Sequence, residues 1–253
     1  MNLFYCNTKP GKRKAKKYKK FIVNLKNIYY SNKSGMPKKV GVVEKRSVTL
    51  EKRRLILASA SPRRREILAD MGLRFQVLPA CGEEKLETAD PVEAVKSLAL
   101  QKAREVADRT KEPALVIGSD TVVASGNKIL GKPQDKEDAF RMLKELQGAS
   151  HMVYTGVAVI DTVTGGLLVH FAEGTKVSMY PMTDAWIRSY IGTGEPMDKA
   201  GAYAIQGGCM PYIREIQGEY TTVVGFPVAR FYQELLKMGV DLQKPEEEEY
   251  YEF

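Results

Sequence analysis

Residues 55–68, LILASASPRRREIL, join an apolar run to a polar turn and then to a helical pattern. The apolar residues 55–58 predict a buried strand. Ser61 is a good N-cap, and Pro62 suits the first helical position because proline has no N–H group to leave unpaired. The three arginines at 63–65 therefore fall in the first turn of a helix.

Cations in that first turn are unfavourable by themselves, because the N-terminus of a helix already carries partial positive charge. A bound anion makes these cations favourable, because it is attracted both to them and to the helix N-terminus. Free backbone N–H groups with guanidinium forks are a typical phosphate site. The turn therefore predicts phosphate binding, with a basic surface cluster that has no ligand as the alternative.

The positive charge of the chain lies mainly at its N-terminus. The 253 residues carry a formal net charge of +8. Residues 1–54 contain 17 Lys or Arg and 2 Asp or Glu, whereas residues 55–253 contain 22 and 29. A domain that binds duplex nucleic acid needs a basic face on its folded body. Nucleic acid is therefore not the expected partner of this chain.

The chain divides into three predicted parts. Residues 1–52 form a basic extension, residues 53–240 the folded domain, and residues 241–253 an acidic tail. The basic run KPGKRKAKKYKKF fits a nuclear address, a mitochondrial presequence or an RNA-contacting arm. A disordered tail without a specific role is the alternative, because like charges repel one another and prevent packing.

Several kinds of site and location lack support in the sequence. Cys6, Cys81 and Cys209 lie far apart without a CxxC pair, so neither a zinc site nor a disulfide framework is expected. A reducing, cytoplasmic location is the default expectation. No run approaches the roughly 20 apolar residues of a membrane-spanning helix, and no membrane partner is expected. Neither a P-loop nor a GxGxxG dinucleotide motif is present.

Strands and helices follow one another through the body, which predicts an α/β or mixed α+β fold with a sheet covered by helices. Beyond the first strand and helix, the apolar runs predict strands at 75–78, 114–117, 153–160, 167–180 and 221–224. Amphipathic and capped patterns predict helices at 91–108, 135–146, 183–191 and 227–238.

Four polar clusters interrupt the apolar elements. They are Ser59, Ser61, Arg63 and Arg64; Glu83 and Glu84; Asp120 and Thr121 with Lys132; and Asp198 and Lys199 with Gln206. Together they offer cations for phosphates, carboxylates for a metal and water, and an amide that can read a base. Glu83 and Glu84 by themselves also fit a solvated turn.

Asp120 follows a short apolar run and is predicted to lie at the end of a strand, where ligands collect in open α/β sheets. A carboxylate there can hold a divalent cation or accept a proton from water, or it can simply cap a turn. Lys102 falls within the apolar stripe of the helix at 91–108. It either pairs there with a carboxylate or extends its ammonium group to solvent.

At these clusters the chain resembles the Maf family of nucleoside triphosphate pyrophosphatases, relatives of inosine triphosphatase. The resemblance covers residues 55–236. Its motifs are LASASPRRREIL, GSDTVV, GKPQDKEDAFRMLKELQG, HMVYTG, GEPMDKAGAYAIQGG and VVGFP. Several motifs in the family's order are more specific than any one of them alone.

The resemblance implies an elongated mixed sheet with helices, two lobes around a deep cleft, and a homodimer. It also implies an enzyme of nucleotide-pool sanitation. A nucleoside triphosphate is cut between its α and β phosphates, giving the monophosphate and pyrophosphate, with Mg²⁺ or Mn²⁺ as the cofactor. The SPRR and DKAGAY patterns resemble the branch that acts on dTTP and UTP. Modified pyrimidine triphosphates are further expected substrates.

The resemblance also implies a role for each matching residue. Asp120 is the expected catalytic acceptor that activates water, and Glu84 with Asp120 is the expected metal site. The expected phosphate-binding residues are Ser59, Arg63, Arg64, Lys102 and Lys132. The residues expected to sort substrates are Arg63, Thr121 and Gln206.

Two alternatives to this function stay open. One is a pyrophosphatase for another noncanonical nucleotide such as 7-methyl-GTP, although that branch usually has Trp where this chain has Arg63. The other is a nucleic-acid-binding or partner-binding protein with a vestigial pocket. The chain also departs from the family at Ala204, where glycine is common, which bears on base preference more than on the chemistry.

Overall fold

The structure is a computed structural model that describes residues 22–23, 48–49, 53–86, 88–126 and 128–238. Its strands are β1 (Ile22–Val23), β2 (Val48–Thr49), β3 (Arg54–Leu57), β4 (Phe75–Val77), β5 (Ala114–Ser125), β6 (Lys128–Leu130), β7 (Ser150–Asp161), β8 (Leu167–Met179) and β9 (Ile213–Gln217). Its α-helices are α1 (Pro62–Asp70), α2 (Pro91–Arg109), α3 (Lys136–Leu146), α4 (Asp184–Gly192), α5 (Tyr220–Val224) and α6 (Val228–Lys237). Apart from the short β1–β2 pair, the predicted extension and the acidic tail lie outside the described residues.

Seven strands form one mixed sheet in the order β4-β3-β5-β7-β8-β9, with β6 paired to β5. Strand β3 runs parallel to β4 and β5, whereas β5, β7, β8 and β9 pair in antiparallel fashion. This arrangement confirms the predicted α/β, mixed α+β fold. Among the described residues, no helix is long and apolar enough to cross a membrane.

Helix ends follow the local sequence signals. The Ser61 hydroxyl accepts a hydrogen bond from the Arg64 N–H group at the start of α1, and Pro62 occupies the first turn. Gly72, just past the end of α1, has a φ of +75°, which an L side chain adopts only with strain. At α2 the Asp90 carboxylate accepts bonds from two N–H groups of the first turn. These caps confirm the predicted start and stop of the helix that carries the arginines.

Alternate residues of β5 face helices on opposite sides of the sheet. Ala114 and Val116 pack beneath α2. Leu115 and Ile117 face the other way, toward a core that includes Leu68 of α1 and residues of α6. The two-residue period of a strand therefore places the sheet between α2 on one face and α1 with α6 on the other.

A separate core lies toward the far end of the long strands. Val123 of β5, Val153 of β7 and Val177 of β8 pack there with buried residues of α3 and α4. The long strands β5, β7 and β8 thus connect two apolar cores, one at each end, in agreement with the predicted lobes. The polar residues of β5 lie between those cores.

Two predictions were wrong: the strand at residues 221–224 and the position of Asp120 at a strand end. Residues 221–224 form the helix α5 rather than a strand, because Gly225, at a φ of +128°, closes a turn through its N–H group on the Thr221 carbonyl. Asp120 lies inside β5 rather than at a strand end, because β5 continues to Ser125 by pairing with β7. Strand β9, paired to β8, was not predicted.

Candidate active site

A gap in the sheet places the polar residues of β5. Strand β7 occupies one edge of β5 along almost its whole length, so β3 and β6 share the other edge. The pairing of β3 with β5 ends at Ile117, whose carbonyl accepts a 2.8 Å hydrogen bond from the Ala58 N–H group. Strand β6 starts its pairing only at Val123, opposite Leu130. Residues 118–122 therefore have no strand partner at this edge within the described chain.

Asp120 lies in this gap, on the α2 side of the sheet. It is 9% exposed, and the ammonium group of Lys102 on α2 binds its carboxylate directly. The same ammonium group contacts the Glu84 carboxylate at 2.9 Å. The structure therefore brings Asp120, Lys102 and Glu84 together, and Lys102 pairs with carboxylates rather than extending to solvent.

Arg64 reaches the gap from the other face of the sheet. Its guanidinium donates to the Gly225 carbonyl at 2.8 Å, the Ser59 hydroxyl at 3.1 Å and the Thr121 hydroxyl at 2.9 Å. The Thr121 hydroxyl also pairs at 2.9 Å with that of Thr155 on β7. Arg64, Ser59 and Thr121 therefore form one connected set, with the guanidinium orientation fixed by three acceptors.

Gly225 and Thr155 are the contributors that the residue-level reasoning did not assign. Gly225 ends α5 and turns its carbonyl toward both Arg64 and the buried hydroxyl of Ser119. Thr155 donates to the Thr222 carbonyl at 2.7 Å, which ties β7 to α5. Their signal lay in the VVGFP and HMVYTG motifs, whose glycine and threonine received no role.

The acid and the guanidinium act on each other electrostatically across the gap. Burial lowers the pKa of the Arg64 guanidinium, and the charge of Arg63 lowers it further. The negative charges of Asp120 and Glu84 raise it in opposition. The two sets of side chains, one from each face of the sheet, contact the adjacent residues Asp120 and Thr121 of β5.

Arg63 and Lys132 flank this region from opposite sides of the gap. Arg63 follows β3 through the α1 turn, and exposed Lys132 follows β6. Neither side chain makes a hydrogen bond to another described residue, so both cations can donate hydrogen bonds to an anionic ligand. This distinguishes them from Lys102 and Arg64, which the protein itself already binds.

The DKAGAY segment lies close to Arg63. Partial burial raises the pKa of the Asp198 carboxyl. The Lys199 hydrogen bond and the charges of Lys199 and Arg63 together lower it by more, so the pKa falls below its usual range. The N–H group of Gly201 donates to the Gly131 carbonyl at 3.0 Å, one residue before Lys132. Gln206, farther along, is exposed and makes no hydrogen bond to the other site residues that the structure describes.

The carboxylate pair suits a hard divalent cation. Glu84 and Asp120 place two oxygens around a single positive charge, which here is the Lys102 ammonium group. The described residues contain no group of three or more His, Cys, Asp or Glu side chains that could hold a metal ion. Mg²⁺ typically takes one or two carboxylates and completes its shell with water and substrate phosphates. The donor set therefore fits a cation that binds together with a phosphate ligand.

Comparisons with known proteins agree with these motifs. The model of the Maf family, described as Maf-like protein, matches residues 54–238. A dTTP/UTP pyrophosphatase from Agathobacter rectalis is 50% identical over 202 residues, covering 74% of this chain and 98% of that protein. One from Carboxydothermus hydrogenoformans is 46% identical over 186 residues, covering 74% and 99%.

A solved structure is more distantly similar. A nucleoside-triphosphatase described as a dITP/XTP pyrophosphatase, from Mycobacterium abscessus, shares 17% identity and covers 51% of this chain and 75% of that chain. Its TM-score of 0.35 is too low to support an argument. The family model, by contrast, matches well over half of the chain, and the relatives are matched over nearly their whole length. The chain therefore belongs to the Maf family of proteins.

Proposed function

We propose that this protein is a nucleoside triphosphate pyrophosphatase that hydrolyses dTTP and UTP to the monophosphate and pyrophosphate. The observation that carries the proposal is the arrangement in the sheet gap. There a buried carboxylate, Asp120, is bound to Lys102, which also contacts Glu84, and Arg64 reaches the adjacent Thr121 from the other face of the sheet. The names of the Agathobacter and Carboxydothermus relatives support the same reaction and the same two substrates.

The cations of the site offset the charge of a triphosphate. Arg63 and Lys132 make no hydrogen bond to the described residues and follow the strands β3 and β6 that bound the gap, so both are available to bind the phosphate chain. Arg64, held rigidly by Gly225, Ser59 and Thr121, presents a fixed guanidinium to the same phosphates. Such preorganised charge stabilises the developing negative charge on the leaving pyrophosphate.

Asp120 is the group placed to activate water. As the water oxygen bonds to the α phosphorus, Asp120 accepts a water proton. The bond between the α phosphorus and the oxygen that bridges to the β phosphorus breaks, and its electron pair leaves with pyrophosphate. The Lys102 ammonium group binds the Asp120 carboxylate and holds it in one orientation.

Glu84 and Asp120 are the residues that would hold the divalent cation, Mg²⁺ or Mn²⁺. When bound, that cation offsets phosphate charge and orients the phosphate oxygens. Because Lys102 contacts the same two carboxylates, it would share them with the cation.

Base selection belongs to residues away from the phosphates. Gln206 offers both a donor and an acceptor, which can pair with the edge of a pyrimidine. A site built on such paired hydrogen bonds rejects a wrong base because its polar groups are then left unpaired. The Thr121 hydroxyl is already engaged with Arg64 and Thr155, so Thr121 affects substrates through the position of Arg64.

The Asp120→Asn variant tests the proposed reaction. The amide keeps the size of the side chain but cannot accept the water proton, so kcat for dTTP should fall by about 10²- to 10⁴-fold. Pyrophosphate release is measured over dTTP, UTP, 7-methyl-GTP and the purine triphosphates. Asp70→Asn, an exposed change at the end of α1, is the control and should keep full turnover.

Two outcomes would contradict this function. Full dTTP turnover by Asp120→Asn would exclude Asp120 as the base. Turnover of 7-methyl-GTP above that of dTTP and UTP by the unmodified protein would replace the pyrimidine assignment with the other branch of the family.

A further inference from the structure

A buried tyrosine and a glutamate outside the phosphate site bind both ends of one loop. The loop comprises residues 204–208, here called the base loop, with Gln206 at its centre. The Tyr190 hydroxyl accepts a 3.0 Å bond from the Ala204 N–H group and donates a 2.8 Å bond to Glu195. Both Glu195 oxygens lie 3.1 Å from the Gly208 nitrogen. One pair of side chains thus holds the first and last residues of the base loop.

Gly207 and Gly208 of the base loop lie close to the Glu195 carboxylate. A Cβ atom added at Gly207 would lie 2.0 Å from Glu195 Oε1, so the Glu195 carboxylate would have to leave its present position. At Gly208 it would lie 3.1 Å from a ring carbon of Tyr190. The two glycines after Gln206 therefore allow the base loop to approach Glu195 and Tyr190 closely.

Gln206 itself contributes nothing to holding its position. Its side chain is exposed and has no hydrogen-bond partner among the described residues. Its location therefore depends on the backbone of the base loop. That backbone is fixed by Tyr190, which is 4% exposed and stacks on Trp186 at 5.1 Å between ring centroids.

The Tyr190 hydroxyl that holds the base loop keeps its proton across the working range of pH. Burial raises the pKa of the Tyr190 hydroxyl well above its usual range, and the bond to Glu195 raises it further against the opposing bond from Ala204. The hydroxyl therefore stays protonated and continues to donate to Glu195.

We propose that Tyr190 and Glu195 are positioning residues that hold the base loop so that Gln206 meets the pyrimidine. The inference rests on the proposed function and deepens it, since it explains how the base is sorted. Neither residue hydrogen-bonds Asp120, Lys102 or Arg64. Loss of the pair should therefore affect KM and base discrimination, and leave kcat for the preferred substrate largely unchanged.

The Tyr190→Phe variant removes one oxygen and leaves the stacked ring in place. Pyrophosphate release is measured with dTTP, UTP and GTP, and the readout is kcat/KM for each pyrimidine divided by that for GTP. We expect this ratio to fall about tenfold, the effect of one lost buried hydrogen bond. Tyr212→Phe is the matched control, because it removes a hydroxyl from a ring that also packs on Trp186 but lies outside the pair.

A second background separates positioning from general damage. In Gln206→Ala the amide is already absent, so adding Tyr190→Phe should lower the ratio little further. Glu195→Gln keeps an acceptor for the Gly208 N–H group and should retain more of the discrimination than Glu195→Ala. Thermal unfolding of every variant identifies any that fail to fold. If Tyr190→Phe fails to fold, the positioning role is tested by comparing the ratio in Glu195→Gln with that in Glu195→Ala.

The outcomes are distinguishable. Hydrolysis by the unmodified protein with an unchanged ratio in Tyr190→Phe would overturn the positioning role alone. An equal fall in the ratio with and without Gln206 would also overturn it, because the effect would not pass through Gln206. Absence of pyrophosphate release by the unmodified protein would instead overturn the proposed function.

Discussion

Arg64 shows how a single residue at the site depends on its shape as well as its charge. Its guanidinium donates to three acceptors that come from three places in the chain: Ser59 after β3, Thr121 in β5 and Gly225 after α5. A lysine carries the same charge but presents no planar fork that can reach all three. The bonding pattern therefore selects arginine at this position.

The Arg64→Lys variant should lose kcat/KM for dTTP by roughly 10- to 100-fold, because hydrogen bonds to a charged group are each worth about 1.5–3 kcal/mol. Steady-state pyrophosphate release measures the loss. Arg65→Lys, in the same turn but exposed, is the control and should leave kcat/KM unchanged. Full kcat/KM in both variants would show that only the net charge of the turn matters, because Arg→Lys keeps that charge.

The adjacent glutamates Glu83 and Glu84 differ in their contacts. Glu84 contacts Lys102 at 2.9 Å beside Asp120, whereas exposed Glu83 has no partner among the described side chains. The structure thus separates two residues that the sequence presents as one acidic turn, and it makes Glu84 the one that can share a cation with Asp120.

Glu84→Gln should raise the Mg²⁺ concentration needed for half-maximal turnover by about tenfold, because a neutral amide binds a hard cation more weakly than a carboxylate does. Titration of Mg²⁺ at saturating dTTP measures this concentration after removal of bound metal with a chelator. Glu83→Gln should leave it where it is in the unmodified protein. The metal assignment fails if both variants titrate alike.

At the scale of elements, the close approach of α2 to the sheet determines where Lys102 lies. A Cβ atom at Gly118 of β5 would come within 2.1 Å of the Ala99 carbonyl oxygen of α2. At Gly156 of β7 it would come within 2.2 Å of the Val95 carbonyl oxygen. Gly118 precedes Asp120 by two residues on β5, and Gly156 lies opposite Asp120 on β7, so α2 lies directly on the sheet beside the site.

Gly118→Ala should lower the free energy of unfolding by about 1–3 kcal/mol, because α2 must move away to make room for the methyl group. Urea unfolding followed by circular dichroism measures the change. Turnover should fall too, since the same movement draws Lys102 away from Asp120. Gly192→Ala is the control: nothing lies within 4 Å of a Cβ there, and the stability should not fall.

At the scale of the whole molecule, a buried histidine links stability to pH. His151 is 4% exposed, and its Nε2 atom pairs with the Tyr203 hydroxyl at 2.8 Å. Burial lowers the pKa of His151 from 6.5 to about 4. The folded protein therefore holds this imidazole neutral at pH values where the unfolded chain protonates it.

His151 should make the free energy of unfolding depend on pH between about 6.5 and about 4. Its contribution is complete above pH 6.5 and is lost as the pH falls, because the unfolded state then binds the proton first; the total is about 3 kcal/mol. His151→Gln should flatten this part of the curve, measured by urea unfolding at a series of pH values. Exposed His170→Gln should not change its slope.

The predicted homodimer and the roles of residues 1–52 and 241–253 stay predictions at this scale. Within the described part of the domain, Arg53 donates to both oxygens of buried Asp161 at the end of β7. This pair lies at the predicted start of the domain, residue 53.

What the sequence by itself determined is mostly local. Ser61, Pro62 and Gly72 set the bounds of α1, and Asp90 the start of α2, because caps and left-handed turns depend on residues within a few positions of each other. The ordered motifs also identified the family, and the matched family model confirms it.

Only the tertiary structure decided how the polar residues meet. Asp120 lies inside β5 because β7 pairs along it, and the site opens where β3 ends and β6 has not begun. Lys102 bridges two carboxylates, and Gly225 orients Arg64 across 161 positions of chain. Contacts between residues so far apart depend on how whole elements pack, which no local pattern of residues encodes.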